Sequence, residues 1–179
     1  MRELFLFLIF SMLTYGYTAN AQSSVDDYIG TWKGEKGDTV FVIKLIKGDT
    51  FLKGRVINLL GGYYVSVKNE YTDDYLKINT HRIFEKKLAG QHIYIDASYS
   101  RMSSNKNIGF HFYDQRKRHF NGEGIAGGWM EYIAPNKLHW RLDEKMGIWW
   151  ATEGSDDYGT VKPIGFSVPS DIILIKVEE

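Results

Sequence analysis

No stretch of this chain sustains apolar residues at i, i+3, i+4 and i+7, while short runs of alternating apolar and polar residues recur from Thr39 to Val177. A helix buries a face with a period of 3.6 residues and a strand with a period of two, so the pattern selects strands. Strands with one apolar face must close into a barrel or stack as two sheets to hide that face. Residues 39–47 set Phe41, Ile43 and Leu45 on one side, and residues 108–115 set Phe110 and Phe112 against His111 and Tyr113. Further strands are expected at 51–60, 63–68, 91–98, 128–133, 137–143, 147–152 and 171–177. Lys47-Gly48-Asp49-Thr50 and Pro135-Asn136 read as turns, and Gly61-Gly62 as a tight hairpin, because both central residues of a type I′ turn need positive φ. Residues 69–74 read as a loop, 75–80 as an edge strand, and 120–128 as a glycine-rich bulge. Only 78–88 offers a short helix. The expectation is an all-β, antiparallel chain of about eight to ten strands with at most one short helix.

With 179 residues the chain has material for one core and is short for two ordinary domains. Lys plus Arg and Asp plus Glu both number 22 and no long block carries one sign, which disfavours nucleic acid and anionic membranes as partners.

Met1-Arg2, the apolar run Leu4-Phe5-Leu6-Phe7-Leu8-Ile9-Phe10 and Ala19-Asn20-Ala21 are the three parts of a cleavable export signal. A membrane anchor needs about 20 apolar residues, and Ser11, Thr14 and Gly16 interrupt this run too early. Residues 1–21 are therefore expected to be a signal peptide and residues 22–179 a single exported domain, periplasmic or extracellular. The chain contains no cysteine, so it has neither a disulfide nor a lipidated thiol and is expected to be released as a soluble protein without a membrane span.

Gly30-Thr31-Trp32-Lys33, opening the first strand of a meander, resembles the Gly-x-Trp start of lipocalins and fatty-acid-binding proteins, the calycin group. The resemblance implies an up-and-down barrel whose closed end is plugged by Trp32, with Arg141 or Lys176 as the basic residue lying across it. Asp156-Asp157-Tyr158 and Thr72-Asp73-Asp74-Tyr75 are similar to the second lipocalin motif. The overall layout also resembles a group of secreted bacterial proteins with a Gly-x-Trp start, a late Leu-x-Trp-x-Leu (here Leu138-His139-Trp140-Arg141-Leu142) and a Pro-led final strand from Pro169. The Arg-x-Tyr pair with which fatty-acid-binding proteins hold a carboxylate is missing near the C-terminus.

The candidate chemistry lies mostly in aromatic rings. Trp32, Phe41, Phe110, Phe112, Trp140, Trp149 and Trp150 are the expected ligand-lining residues; the same rings would equally fill a core or stack on sugars from an outer face. Trp149 and Trp150 point to opposite sides of a regular strand, so one of them belongs at a surface or a pocket mouth. His81, His92, His111, His119 and His139 include no His-x-His pair, and no metal site or cofactor is expected. Glu123 and the pairs Asp73-Asp74 and Asp156-Asp157 read as solvated turn acids. The leading expectation is a non-enzymatic exported protein holding a small apolar or amphipathic ligand in its barrel. An interaction or inhibitor surface on loops 71–75 and 153–159, with Tyr71, Tyr75 and Tyr158, is the alternative. A hydrolase using Glu123 or His111 ranks last, since no nucleophile and base occur in a recognisable pattern.

Overall fold

The computed structural model describes residues 24–52, 55–78, 93–98, 107–122, 124–143, 148–149, 160–161 and 165–178. The expected signal peptide, Trp150, Glu123, His81, His92, most of the candidate helix at 78–88 and the loop at 153–159 lie outside them. Among the described residues helix is confined to two single turns, α1 (Val25–Tyr28) and α2 (His119–Gly122). The strands are β1 (Gly30–Lys36), β2 (Thr39–Leu52), β3 (Arg55–Val67), β4 (Tyr71–Tyr75), β5 (Ile95–Ser98), β6 (Asn107–Phe112), β7 (Ile125–Ala134), β8 (Lys137–Leu142), β9 (Ile148–Trp149), β10 (Thr160–Val161) and β11 (Asp171–Val177).

Every pairing is antiparallel. Strands β1, β2, β3, β5, β6, β7, β8 and β11 form a closed ring, with β11 inserted between β8 and β1 and the long β2–β3 pairing completing the circle. Strand β4 is additional, and β9 and β10 form a separate ribbon. The expected antiparallel up-and-down barrel is thus what the chain forms. Alternation places Trp32, Phe41, Ile43, Leu45, Leu59, Tyr63, Val65, Ile108, Phe110, Phe112, Met130, Leu138, Trp140 and Leu174 in one interior cluster.

The glycine pair Gly61-Gly62 is not a hairpin: it lies within β3, which runs unbroken to Val67. A Cβ on Gly61 would come within 2.7 Å of Leu45 Cδ2, and one on Gly62 would collide with the Tyr75 carbonyl. These glycines permit close approach across the sheet rather than supply positive φ. Opposite them the neighbouring strand breaks: β4 pairs as far as Tyr75 opposite Tyr63, and β5 resumes on the same edge with Ile95 opposite Gly61. The expected turn at 47–50 is likewise a register shift within β2, a bulge that keeps the strand going to Leu52. The expected loop at 69–74 is mostly strand β4; α2 occupies the start of the stretch read as a bulge, and its end, Ile125 to Gly128, carries the register shift against Phe110 and Phe112 that this reading expected.

Candidate functional site

The end of the barrel where the chain enters is closed by the sequence feature that opens β1. Ser24 caps α1, accepting from Asp26 N at 3.2 Å while its own N–H donates to Asp27 Oδ2 at 2.6 Å, which fixes the turn before Gly30. Trp32 then points inward beneath this turn, and its indole N–H donates to the Tyr28 carbonyl at 2.8 Å. Tyr132 packs edge-on to the Trp32 ring at 6.4 Å. The cation across that ring is Lys176, whose Nζ lies 5.2 Å from the ring centroid. Arg141 does not take this role: on β8 it alternates with the buried Leu138, Trp140 and Leu142, so it faces out, near Asp171 at 3.8 Å.

The middle layer is filled by rings. Trp140 stacks on Phe110 with centroids 4.2 Å apart, and Phe41 and Phe112 meet it edge-on at 5.3 and 5.5 Å. Phe110 lies so close over Gly128 that a Cβ there would run into its ring. Trp32, Phe41, Phe112 and Trp140 are 0% exposed and Phe110 1%, so these rings are shut off from solvent. Four of the expected ligand-lining residues, Phe41, Phe110, Phe112 and Trp140, therefore meet in one cluster, and Trp32 meets Tyr132. Trp149 lies on β9, beside β7, and its side chain, like Trp150, is outside the described residues.

The opposite end is covered by residues 165–170. The Ser167 N–H and Oγ both donate to Asp114 at 2.7 Å, and Tyr71 OH donates to the Ser167 carbonyl at 2.7 Å. His119 Nε2–H donates to the Gly165 carbonyl at 2.7 Å, and the Trp140 N–H reaches the Pro169 carbonyl at 3.1 Å. Asp114 also accepts from the N–H groups of Arg116 and Lys117, so one buried carboxylate ties the loop after β6 to the segment before β11. Arg116 grips Asp73 through two hydrogen bonds of 2.8 Å and lies 3.9 Å over the Tyr71 ring. Tyr71 and Asp73, read from sequence as loop residues, are thereby part of this seal. Deeper in, burial pushes the Tyr63 phenol far above its ordinary range, and its oxygen accepts from Gln115 N at 3.0 Å.

The outer wall carries polar pairs of its own. There β5 and β6 oppose Asp96 and His111. His111 Nδ1 lies 3.1 Å from Asp96 Oδ1 and Tyr113 OH donates to Asp96 Oδ2 at 2.7 Å. The carboxylate accepts, so Nδ1 is the donor in this pair. Asp96 was not singled out in the sequence, although the shared outward parity of residues 96 and 111 on adjacent strands was the available signal. His139, also outward, pairs with Asp171 at 2.7 Å. That hydrogen bond, aided by Arg141 and Lys36, holds the Asp171 carboxyl below its usual range. Among the described residues, no three His, Asp or Glu side chains converge as a metal set, and no helix is long and apolar enough to cross a membrane.

Set beside known proteins, the chain matches no curated protein and no solved structure. Over residues 1–177 it matches the model of a family described as "Family of unknown function (DUF6705)", and the chain belongs to that family.

Proposed function

We propose that this barrel is a non-enzymatic binding protein that is exported after removal of residues 1–21 and engages its ligand with its outer surface. The barrel fold is compatible with binding, and one observation directs that binding outward: the rings expected to line a cavity pack on each other, with Trp140 enclosed by Phe41, Phe110 and Phe112. Eight-stranded barrels are just wide enough either to be filled by side chains or to hold one small ligand, and here the side chains take the space. The export half rests on the basic start, apolar run and Ala-x-Ala site alone.

The lipocalin-like reading, with a small apolar ligand inside, draws support from Trp32 under its helical turn and Lys176 over its ring. It requires residues 165–170 to lift and the Trp140 cluster to part. Native mass spectrometry of the purified protein, followed by titration with cis-parinaric acid, separates the two. A protein free of bound lipid that leaves the probe's fluorescence unchanged is expected; one-to-one probe binding with tryptophan quenching overturns the outward reading. N-terminal sequencing of the secreted product should begin at Gln22, and a chain retaining Met1 removes the export proposal.

A further inference from the structure

We propose that the outer wall of β6, β7 and β8 is a carbohydrate-binding face, with Trp129 as its stacking platform and His111 as an oriented hydrogen-bonding group. This rests on the outward reading above and names the ligand class.

Trp129 differs from the two interior tryptophans of the described chain. Trp32 and Trp140 are fully buried and spend their N–H groups on the Tyr28 and Pro169 carbonyls. Trp129 alternates with the buried Gly128 and Met130, so it faces out; it is half-buried, and its N–H neither is sealed from solvent nor meets a partner among the described residues. Its cross-strand neighbours are Gly109 on β6, which offers no side chain to stand over the ring, and Arg141 on β8. An aromatic residue covering a cross-strand glycine is often only a sheet-stabilising pair. That reading accounts for one face of the ring and for nothing around it.

The surroundings are those of a recognition site. His111 lies two residues beyond Gly109 on β6, next to the register shift that separates Phe110 from Phe112 against β7, and so on the same stretch of wall as Trp129. Asp96 fixes the orientation of its ring, and the side chain is 15% exposed, so a polar ring nitrogen other than Nδ1 is left for a ligand. On the other flank, Arg141 offers donors, Glu131 and Asp171 offer acceptors, and His139 links to Asp171. Strand β9 lies against β7.

An apolar plate ringed by donors and acceptors of both signs fits a neutral, polyhydroxylated ligand. The C–H face of a pyranose covers the indole, and its equatorial hydroxyls reach the polar groups at the rim. A phosphate or acidic ligand would call for unopposed cations, whereas here Arg141 is offset by Asp171 and Glu131.

Affinity electrophoresis of the protein through gels containing laminarin, xylan or mannan tests this face. Retardation by at least one polysaccharide is expected, lost at least tenfold in Trp129→Ala, kept within threefold in Trp129→Tyr, and weakened severalfold in His111→Phe. Arg116→Ala, at the far end, should migrate as the parent does. Trp129→Tyr keeps the test valid if the alanine variant folds poorly. No retardation in any gel, undiminished retardation in Trp129→Ala, or binding that disappears with added salt overturns the proposal. Uptake of cis-parinaric acid would sink the outward reading whatever the gels show, whereas silent gels in a protein that excludes the probe sink this face alone.

Discussion

Replacing Trp140 by alanine probes the packed interior most directly. The ring is fully buried, stacked on Phe110 at 4.2 Å and bordered edge-on by Phe41 and Phe112. Truncating a buried tryptophan to alanine costs about 3–5 kcal/mol. Three aromatic contacts, each worth about 0.5–1.5 kcal/mol beyond burial, place this site in the upper half of that range. The Pro169 carbonyl also loses its donor, which adds about 1 kcal/mol. A loss of about 5–6 kcal/mol in a domain of this size lowers Tm by roughly 10–25 °C. Urea titration with thermal melts measures both quantities. The cavity left behind is apolar and matches the indole that was removed, so added indole should raise Tm of the variant and leave the parent unchanged. A cost below about 1 kcal/mol would refute the packing argument, because a ring that faces a hollow has little to lose. So would a variant whose Tm ignores indole. Should the alanine variant fail to fold, Trp140→Phe read in the same way keeps the comparison.

Exchanging Lys176 for glutamine should cost about 0.5–1 kcal/mol through the lost cation–π contact on Trp32, whereas the same change at Arg141 should be near neutral in urea unfolding; the reverse order would restore Arg141 as the cover. The depressed Asp171 carboxyl stabilises the fold above the unfolded carboxylate pKa, and that contribution is lost as pH falls through the lower, folded value. Carboxyl NMR titration should therefore place Asp171 below an ordinary aspartate, and His139→Ala should move it upward; an unmoved midpoint excludes the His139 bond as the cause. Tyr63 has the opposite sign: its phenol is raised, so its contribution is present below the unfolded value near 10 and is lost as pH rises. Ultraviolet titration should show Tyr63 ionising only with alkaline unfolding, and a phenol that ionises in the folded protein contradicts its burial.

Period-two patterning carried most of the fold. Phe41, Ile43 and Leu45 face the core as their spacing requires, and β11 spans residues 171–177 as expected. Glycine was the ambiguous letter. The same residue permits positive φ and permits close approach, and only the three-dimensional neighbours of Gly61 and Gly62, Leu45 and the Tyr75 carbonyl, decide between them. The site was legible in kind rather than in place. Ring-rich strands announced aromatic clusters, but inward or outward orientation depends on parity within strands whose ends were misplaced. Trp129 and the interior tryptophans differ in that respect alone. The Asp96–His111 pair required knowing which strands adjoin, a long-range fact that local pattern does not contain.

The break between β4 and β5 has a consequence for how such a barrel can vary. The chain leaves the edge of β3 after Tyr75 and returns by Ile95, keeping direction and place, with Tyr94 already bonded to Gly61, so the register of β3 against both strands is set on either side of the connection. Loop-closure cost grows only slowly with length, so material can be added or exchanged there while the register of every other strand is conserved. The connection between β4 and β5 is thus a natural slot for diversification: a passage that evolution, or an engineer grafting a new epitope, can rewrite without redrawing the cylinder.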